Sequence, residues 1–217
     1  MKKIVMCLIG LCGIYFFSGC ATPPMPPMHA AAKRGDIVAM QQLLNENGAS
    51  ILSEQYQGFN PLYSATPAAA RFLIANGADI NEENTYYSGA SYGGGGWTRM
   101  NPGVYTLLTF ASGQSAVFKI GYEGSYEWTK LLIELGADVN KAPSNKGWTP
   151  LQYATYYGFA GIVELLLNAG ADPRLTTPHC CSTPAQLANK KLNVSLAKRL
   201  RGLEREFDKA EKEKAGE

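Results

Sequence analysis

The chain has 217 residues, 46% of them hydrophobic and 18% charged, enough for one core-forming domain with little room for a second. Those proportions describe an ordinary globular protein and exclude a disordered chain or a bundle of spanning helices. The formal charge of +2 belongs to Lys2 and Lys3, since residues 20–217 carry 18 basic and 18 acidic groups; nothing in that balance argues for nucleic acid.

The first element is Lys2-Lys3, then a mostly apolar run from Ile4 to Phe17, then Ser18-Gly19-Cys20. A charged start, an apolar stretch of this length and small residues before a cut site read as a secretory signal peptide over residues 1–19. A spanning helix needs roughly 20 apolar residues, and the run falls short of that. An uncleaved signal anchor is the alternative. Ser18, Gly19 and Cys20 resemble the end of the bacterial lipoprotein signal. That resemblance implies a lipid on Cys20 that anchors the protein to a membrane of the cell envelope, facing the periplasm. Ala21 after the cysteine, rather than Asp, favours the outer membrane over the inner one. Phe17 stands where Leu, Val or Ile is usual, which leaves cleavage without lipid attachment open. Residues 20–26 then form the attachment site and a proline-rich spacer. At about 3.1 Å per residue in polyproline II, Ala21 to Pro27 reaches roughly 20 Å.

From residue 27 the chain repeats itself. Gly48-Ala49-Ser50, Gly77-Ala78-Asp79, Gly136-Ala137-Asp138 and Gly170-Ala171-Asp172 each follow an apolar helical run. The best-formed unit runs from Gly147-Trp148-Thr149-Pro150-Leu151-Gln152-Tyr153-Ala154 through Ile162-Val163-Glu164-Leu165-Leu166-Leu167 to Gly170-Ala171-Asp172. Thr149 before Pro150 predicts a capped helix start, with the proline where a missing N–H costs nothing. That helix should end near Gly158. A second follows, apolar nearly all round, as a helix covered by neighbours on both sides requires. Gly170 suits the left-handed turn that stops it. One helix pair cannot bury its own apolar surface, but a stack of about five can, with polar faces at its ends.

These units resemble the ankyrin repeat, over residues 27–203. Pro27-Met28-His29-Ala30-Ala31 opens the first unit, Gly58-Phe59-Asn60-Pro61-Leu62 the second, Thr106-Leu107-Leu108-Thr109-Phe110-Ala111 the third and Ser182-Thr183-Pro184-Ala185-Gln186-Leu187-Ala188 the fifth. The resemblance implies an all-α solenoid of helix pairs joined by turns or β-hairpins, a protein-binding scaffold without a cofactor. It also implies that His29 hydrogen-bonds the neighbouring loop. Three departures stand out. Gly58 to Gly77 is a step of 19 against 23 from Gly147 to Gly170, so the second unit's first helix is truncated and Pro67 restarts the chain. Residues 82–127 carry an insert with Tyr86, Tyr87, Tyr92, four consecutive glycines and Trp97. The last helix is expected over Leu192–Leu203 as a polar cap, and residues 204–217 as a charged, solvated tail.

Catalytic chemistry finds little support. His179-Cys180-Cys181 has no second ligand pair at zinc spacing and no histidine placed to activate a thiol, so no metal and no catalytic residue is assigned. In an oxidising envelope Cys180 and Cys181 are candidates for a disulfide, with plain loop residues the alternative. Gly93–Gly96 lacks the Lys-Ser/Thr of a phosphate loop. No small-molecule substrate is expected. Aromatic residues outside the helices are the better lead. Phe59 and Trp148 precede the helix starts on the connections that the ankyrin family uses for binding, and Tyr86, Tyr87, Tyr92 and Trp97 lie in the insert. Tyr and Trp supply rigid contact area at low entropic cost; the alternative is that the rings cover the edge of the stack. Two functions follow: an adaptor tethered at the cell envelope that holds another protein, or an immunity protein or inhibitor neutralising a toxin in the periplasm.

Overall fold

The computed structural model describes residues 24–56, 58–86, 103–105, 108, 111, 125–144, 147–177 and 181–216. They form a line of helix pairs, each with an inner and an outer helix. The first pair is α1 (Pro27–Arg34) and α2 (Ile37–Asn47). In the second, a four-residue 3₁₀ turn over Pro61–Ser64 replaces the inner helix, and α3 (Pro67–Ala75) is the outer one. In the third, Leu108 and Ala111 are helical and buried, and α4 spans 125–134. The fourth pair is α5 (Pro150–Tyr157) and α6 (Ala160–Asn168); the fifth is α7 (Pro184–Lys190) and α8 (Val194–Ala215). This is the all-α ankyrin solenoid that the repeats imply.

Local chemistry sets each helix start. Thr149 Oγ1 accepts from Gln152 N while Gln152 Oε1 accepts from Thr149 N, and Thr183 and Gln186 repeat the arrangement. Such a reciprocal cap satisfies two backbone donors that a helix end otherwise leaves bare. The truncation of the second unit is visible: Asn60 caps the 3₁₀ turn, Ala65 is extended, and Thr66 with Pro67 starts a fresh helix. Too few residues separate Pro61 from Pro67 for two α-helical turns, so the chain takes one tight turn instead.

The core runs unbroken through the first four units. Met28, Met40, Leu62, Leu73, Leu108, Leu132, Leu151, Ile162 and Leu166 are essentially inaccessible, and Ala171 is small enough to sit at 0% exposure between stacked units. A smaller cluster of Ala185, Ala188, Ala197 and Leu200 closes the far end, with Leu167 and Leu196 packed against both clusters.

A hydrogen-bond ladder along the unit ends keeps the stack in register. Asp79, Asp138 and Asp172 each accept, at 2.8 Å, from the backbone N–H two residues on. Asn81 then accepts from Asp138 N at 2.9 Å and Asn140 from Asp172 N at 2.8 Å. The first link joins residues 57 apart and the second residues 32 apart, so the insert is an excursion that leaves the second and third units adjacent. His29 Nε2 donates to Phe59 O at 2.9 Å, the contact that the resemblance implies. Gln152 takes the same role three units along, donating to Ser182 O at 2.8 Å.

The end of the chain differs from the expected tail. α8 does not stop at Leu203 but runs to Ala215, and Leu192 lies before it rather than in it. Two causes are visible. Residues 204–215 are almost all good helix formers, with a Lys209–Glu213 pair at i, i+4. In addition, Arg174, at the ladder position that Asn81 and Asn140 hold in the preceding units, reaches out to Asp208 at 3.0 Å and Glu211 at 2.6 Å while lying 5.6 Å from the centre of the Phe207 ring. The hydrogen bond from Arg174 is the main reason that the carboxyls of Asp172 and Glu211 are held below their usual 3.8 and 4.5. Groups with depressed folded values stabilise the fold above the unfolded pKa and lose that contribution as pH falls through the folded one. Below pH 4.5 the wild-type melting temperature should therefore fall more steeply than that of Arg174→Met. Thermal melts of both proteins from pH 6 to pH 2.5 check this, and parallel curves would count against the latch.

Candidate functional site

The connections and the inner helices carry the candidate site. The connection before the second unit is a small hairpin: Tyr56 N donates to Phe59 O at 2.8 Å and Phe59 N to Tyr56 O at 3.1 Å. A two-residue turn of this kind needs positive φ in its centre, and Gly58 has φ +84°. Phe59 is half-buried, with its ring centre 4.6 Å from that of Tyr63, while His29 stands edge-on to Tyr56 at 5.8 Å. His29 thus joins the hairpin to the inner helix below it through one backbone bond and one ring contact.

The insert leaves the stack from a rigid base. Asn84 is fully buried; its Oδ1 accepts from Asn60 N at 2.7 Å and its Nδ2 donates to Glu82 O at 3.0 Å. Asn60 Nδ2 donates to Glu82 Oε2 at 2.6 Å. On the other side, Glu83 accepts from both the backbone N–H and the hydroxyl of Ser144, and Lys141 Nζ donates to Asn81 O at 2.9 Å. From this base β1 (Asn84–Tyr86) pairs antiparallel with β2 (Gly103–Tyr105), with Asn84 opposite Tyr105 and Tyr86 opposite Gly103. Tyr86 is therefore the last described residue on the outgoing strand. Tyr87, Tyr92 and Trp97 lie outside the described residues, as do Cys20, His179 and Cys180. Cys181 is exposed at φ +45°, its N–H donating to Thr177 O at 2.9 Å.

Trp148 sits in the densest aromatic group among the described residues. Its ring centre lies 5.4 Å from Tyr153 and 4.7 Å from Tyr156; Tyr156 meets Tyr157 edge-on at 5.1 Å, and Tyr157 stacks on Phe159 at 5.9 Å. Lys191 Nζ, on the next unit, lies 3.8 Å from the centre of the Tyr156 ring. All five aromatic residues are half-buried, so each packs one side and keeps part of its surface at the protein's exterior. Sequence reasoning identified Trp148 and missed the four partners. The available signal was Tyr153 and Tyr156, three apart on the helix that Thr149 opens, which places both on one face. Phe59 and Trp148 are not brought together; they occupy separate connections, each with its own aromatic neighbours.

Among the described residues no cluster of three or more His, Cys, Asp or Glu is arranged to hold a metal, and no described helix is long and apolar enough to cross a membrane.

Residues 99–177 match the family model for ankyrin repeats in three copies. Curated relatives include the rat ankyrin repeat and SAM domain-containing protein 6, 41% identical over 68 residues, which are 31% of this chain and 8% of that protein. The human protein phosphatase 1 regulatory subunit 27 is 38% identical over 61 residues, 28% of this chain and 39% of that one. Palmitoyltransferase Hip14 of Drosophila melanogaster is 28% identical over 155 residues, 65% of this chain and 20% of the enzyme. The chain thus spans well under half the length of each of these relatives. What they share with it is the repeat, a unit that generally serves protein interaction rather than catalysis.

Proposed function

We propose that this chain is a non-catalytic ankyrin scaffold that holds a protein partner at the bacterial cell envelope, tethered through a lipid on Cys20. The observation that carries the reading is the aromatic group of Trp148, Tyr153, Tyr156 and Tyr157. Half-buried Trp and Tyr rings, here Trp148 on the connection and three Tyr on α5, are the kind of residue that dominates protein-binding hot spots. A line of stacked units adds an extended row of connections that suits a protein surface better than a small molecule. The tether is supported by the signal-like residues 1–19 and by the cysteine that follows them. The proline-rich spacer of about 20 Å would keep the stack close to the bilayer.

The test is affinity capture from envelope extracts with the tagged, full chain and its Trp148→Ala/Tyr156→Ala variant. The expected outcome is one dominant protein retained by the wild type and reduced at least 30-fold with the variant, the loss that a hot spot of about 2 kcal/mol or more produces. Equal recovery by a folded variant would reject this site. Cys20→Ser should move the protein from the membrane fraction to the soluble one; continued sedimentation with membranes would reject the lipid tether.

A further inference from the structure

Three inner helices have described ends, and they form an unusual row of side chains. α1 finishes on Lys33 and Arg34 before Gly35, α5 on Tyr156 and Tyr157 before Gly158, and α7 on Lys190, with Lys191 as its cap before Leu192. All four cations are exposed, and none forms an ion pair among the described residues. Helix polarity alone favours a cation at any helix C-terminus. Yet α2, α3, α5 and α6 have no basic residue in their last turns, so along the inner row the cations stand at the two ends with the rings of α5 between them; the outer helix α8 ends on Lys212 and Lys214. No carboxylate stands at these positions. Asp36, two residues beyond Arg34, is occupied in capping α2 through a 3.0 Å bond from Ala39 N.

Leu192 adds an apolar element to the same row. It adopts φ +61° where α1 and α5 are followed by glycines at +72° and +75°, and it is 86% exposed. A leucine in the left-handed region carries steric strain that a glycine avoids, and here it gains no burial in return. Val194, two residues on, is 68% exposed. Lys191, lying over Tyr156, makes this end continuous with the Trp148 group.

We infer that the partner segment laid along this row is an extended acidic polypeptide with interspersed apolar side chains. The inference rests on the protein-binding reading and narrows its partner class. Carboxylates would meet Lys33 and Arg34 at one end and Lys190 and Lys191 at the other, with apolar side chains on Trp148, Tyr156 and Leu192 between and beside them. Four unit steps of roughly 8–10 Å give about 40 Å, the reach of about twelve extended residues. An anionic bilayer or a nucleic acid would be matched by unbroken positive charge. Among the described residues this row instead separates its cations with half-buried rings.

The test uses the detergent-solubilised full chain and three fluorescein-labelled twelve-residue probes: a Glu-Glu-Leu repeat, a Lys-Lys-Leu repeat and a Gly-Ser repeat. Fluorescence anisotropy should show at least tenfold preference for the acidic probe in 50 mM salt, weakening strongly in 500 mM salt. Reversing Lys33, Arg34, Lys190 and Lys191 to Glu should abolish that preference. If the reversed protein melts early, Lys190→Gln/Lys191→Gln serves in its place and should reduce binding severalfold. Leu192→Gly should weaken the acidic probe while raising the melting temperature. Equal binding of the three probes overturns the inference, as does stronger retention on anionic phosphatidylglycerol vesicles than on neutral phosphatidylcholine vesicles that charge reversal removes while the acidic probe still binds. Capture of the natural partner that survives charge reversal but fails with Trp148→Ala/Tyr156→Ala also overturns it, and leaves the scaffold function standing.

Discussion

Leu166→Ala is expected to destabilise the protein by about 3–5 kcal/mol, the range for emptying a fully buried leucine site. Leu166 lies on α6 at 0% exposure, in the same cluster as Ile162, Val163, Leu132 and Leu151. Those neighbours come from α4, α5 and α6; α5 is fixed by its capping box, and Asp138 and Asp172 tie the ends of the third and fourth units into the ladder, so the site cannot readily collapse. The position within the stack raises the cost further. Stability in a repeat array is a sum of unit terms and nearest-neighbour interfaces, and weakening the fourth unit also loosens the fifth. Chemical denaturation followed by circular dichroism should therefore show a lower midpoint and a broader transition. Val38→Ala, on a side chain 81% exposed on α2, should change stability by less than about 0.5 kcal/mol. A loss below about 1 kcal/mol for Leu166→Ala would mean that the neighbouring units do not enclose α6.

The second large effect separates two glycines that look equivalent in the sequence. Gly35 and Gly158 both end inner helices, at φ +72° and +75°. A Cβ at Gly158 meets nothing within 4 Å, so Gly158→Ala should cost only the left-handed backbone term, about 1 kcal/mol. A Cβ at Gly35 would stand 2.8 Å from Thr66 Oγ1. That hydroxyl caps α3 by accepting from Ala69 N, and the backbone N–H of Thr66 donates to Ala32 O at 3.1 Å, so the contact is held from both sides. Relieving the clash sacrifices the cap, which is worth about 1 kcal/mol. Gly35→Ala should therefore cost about 2–3 kcal/mol. Parallel urea titrations of the two variants measure the difference, and equal losses would show that Thr66 rotates away freely.

Much of this fold was legible because the motif is local. Thr149-Pro150 and Thr183-Pro184 announce helix starts by chemistry confined to four residues, and the structure shows both capping boxes. The shortened step from Gly58 to Gly77 left no room for an inner helix, and a 3₁₀ turn stands there. The His29 bond to the next connection followed from its place in the motif. The candidate site was only partly legible. Trp148 stood out as an aromatic residue on a connection. Its group did not, because Tyr156 and Lys191 meet only when the fourth and fifth units stack. Residues 204–216 are charged and mostly exposed, as expected of the tail, but the helix expected to stop at Leu203 runs on through them to Ala215, for a similar reason. Their composition suits both a solvated tail and a helix, and the balance is tipped by Arg174, thirty residues upstream and more.

By itself the sequence determined the repeating unit, the starts and stops of its helices and the place of the long insert. Each of these depends on residues within one or two turns of each other, where capping, proline and glycine act directly on the backbone. The tertiary structure decided what lies across unit boundaries: the asparagine ladder, the latch of Arg174 on α8, the clash waiting at Gly35, and the row of cations and rings along the inner helix ends. Those contacts arise from stacking, which brings together residues 30 or more positions apart, and no local pattern encodes which of them will touch.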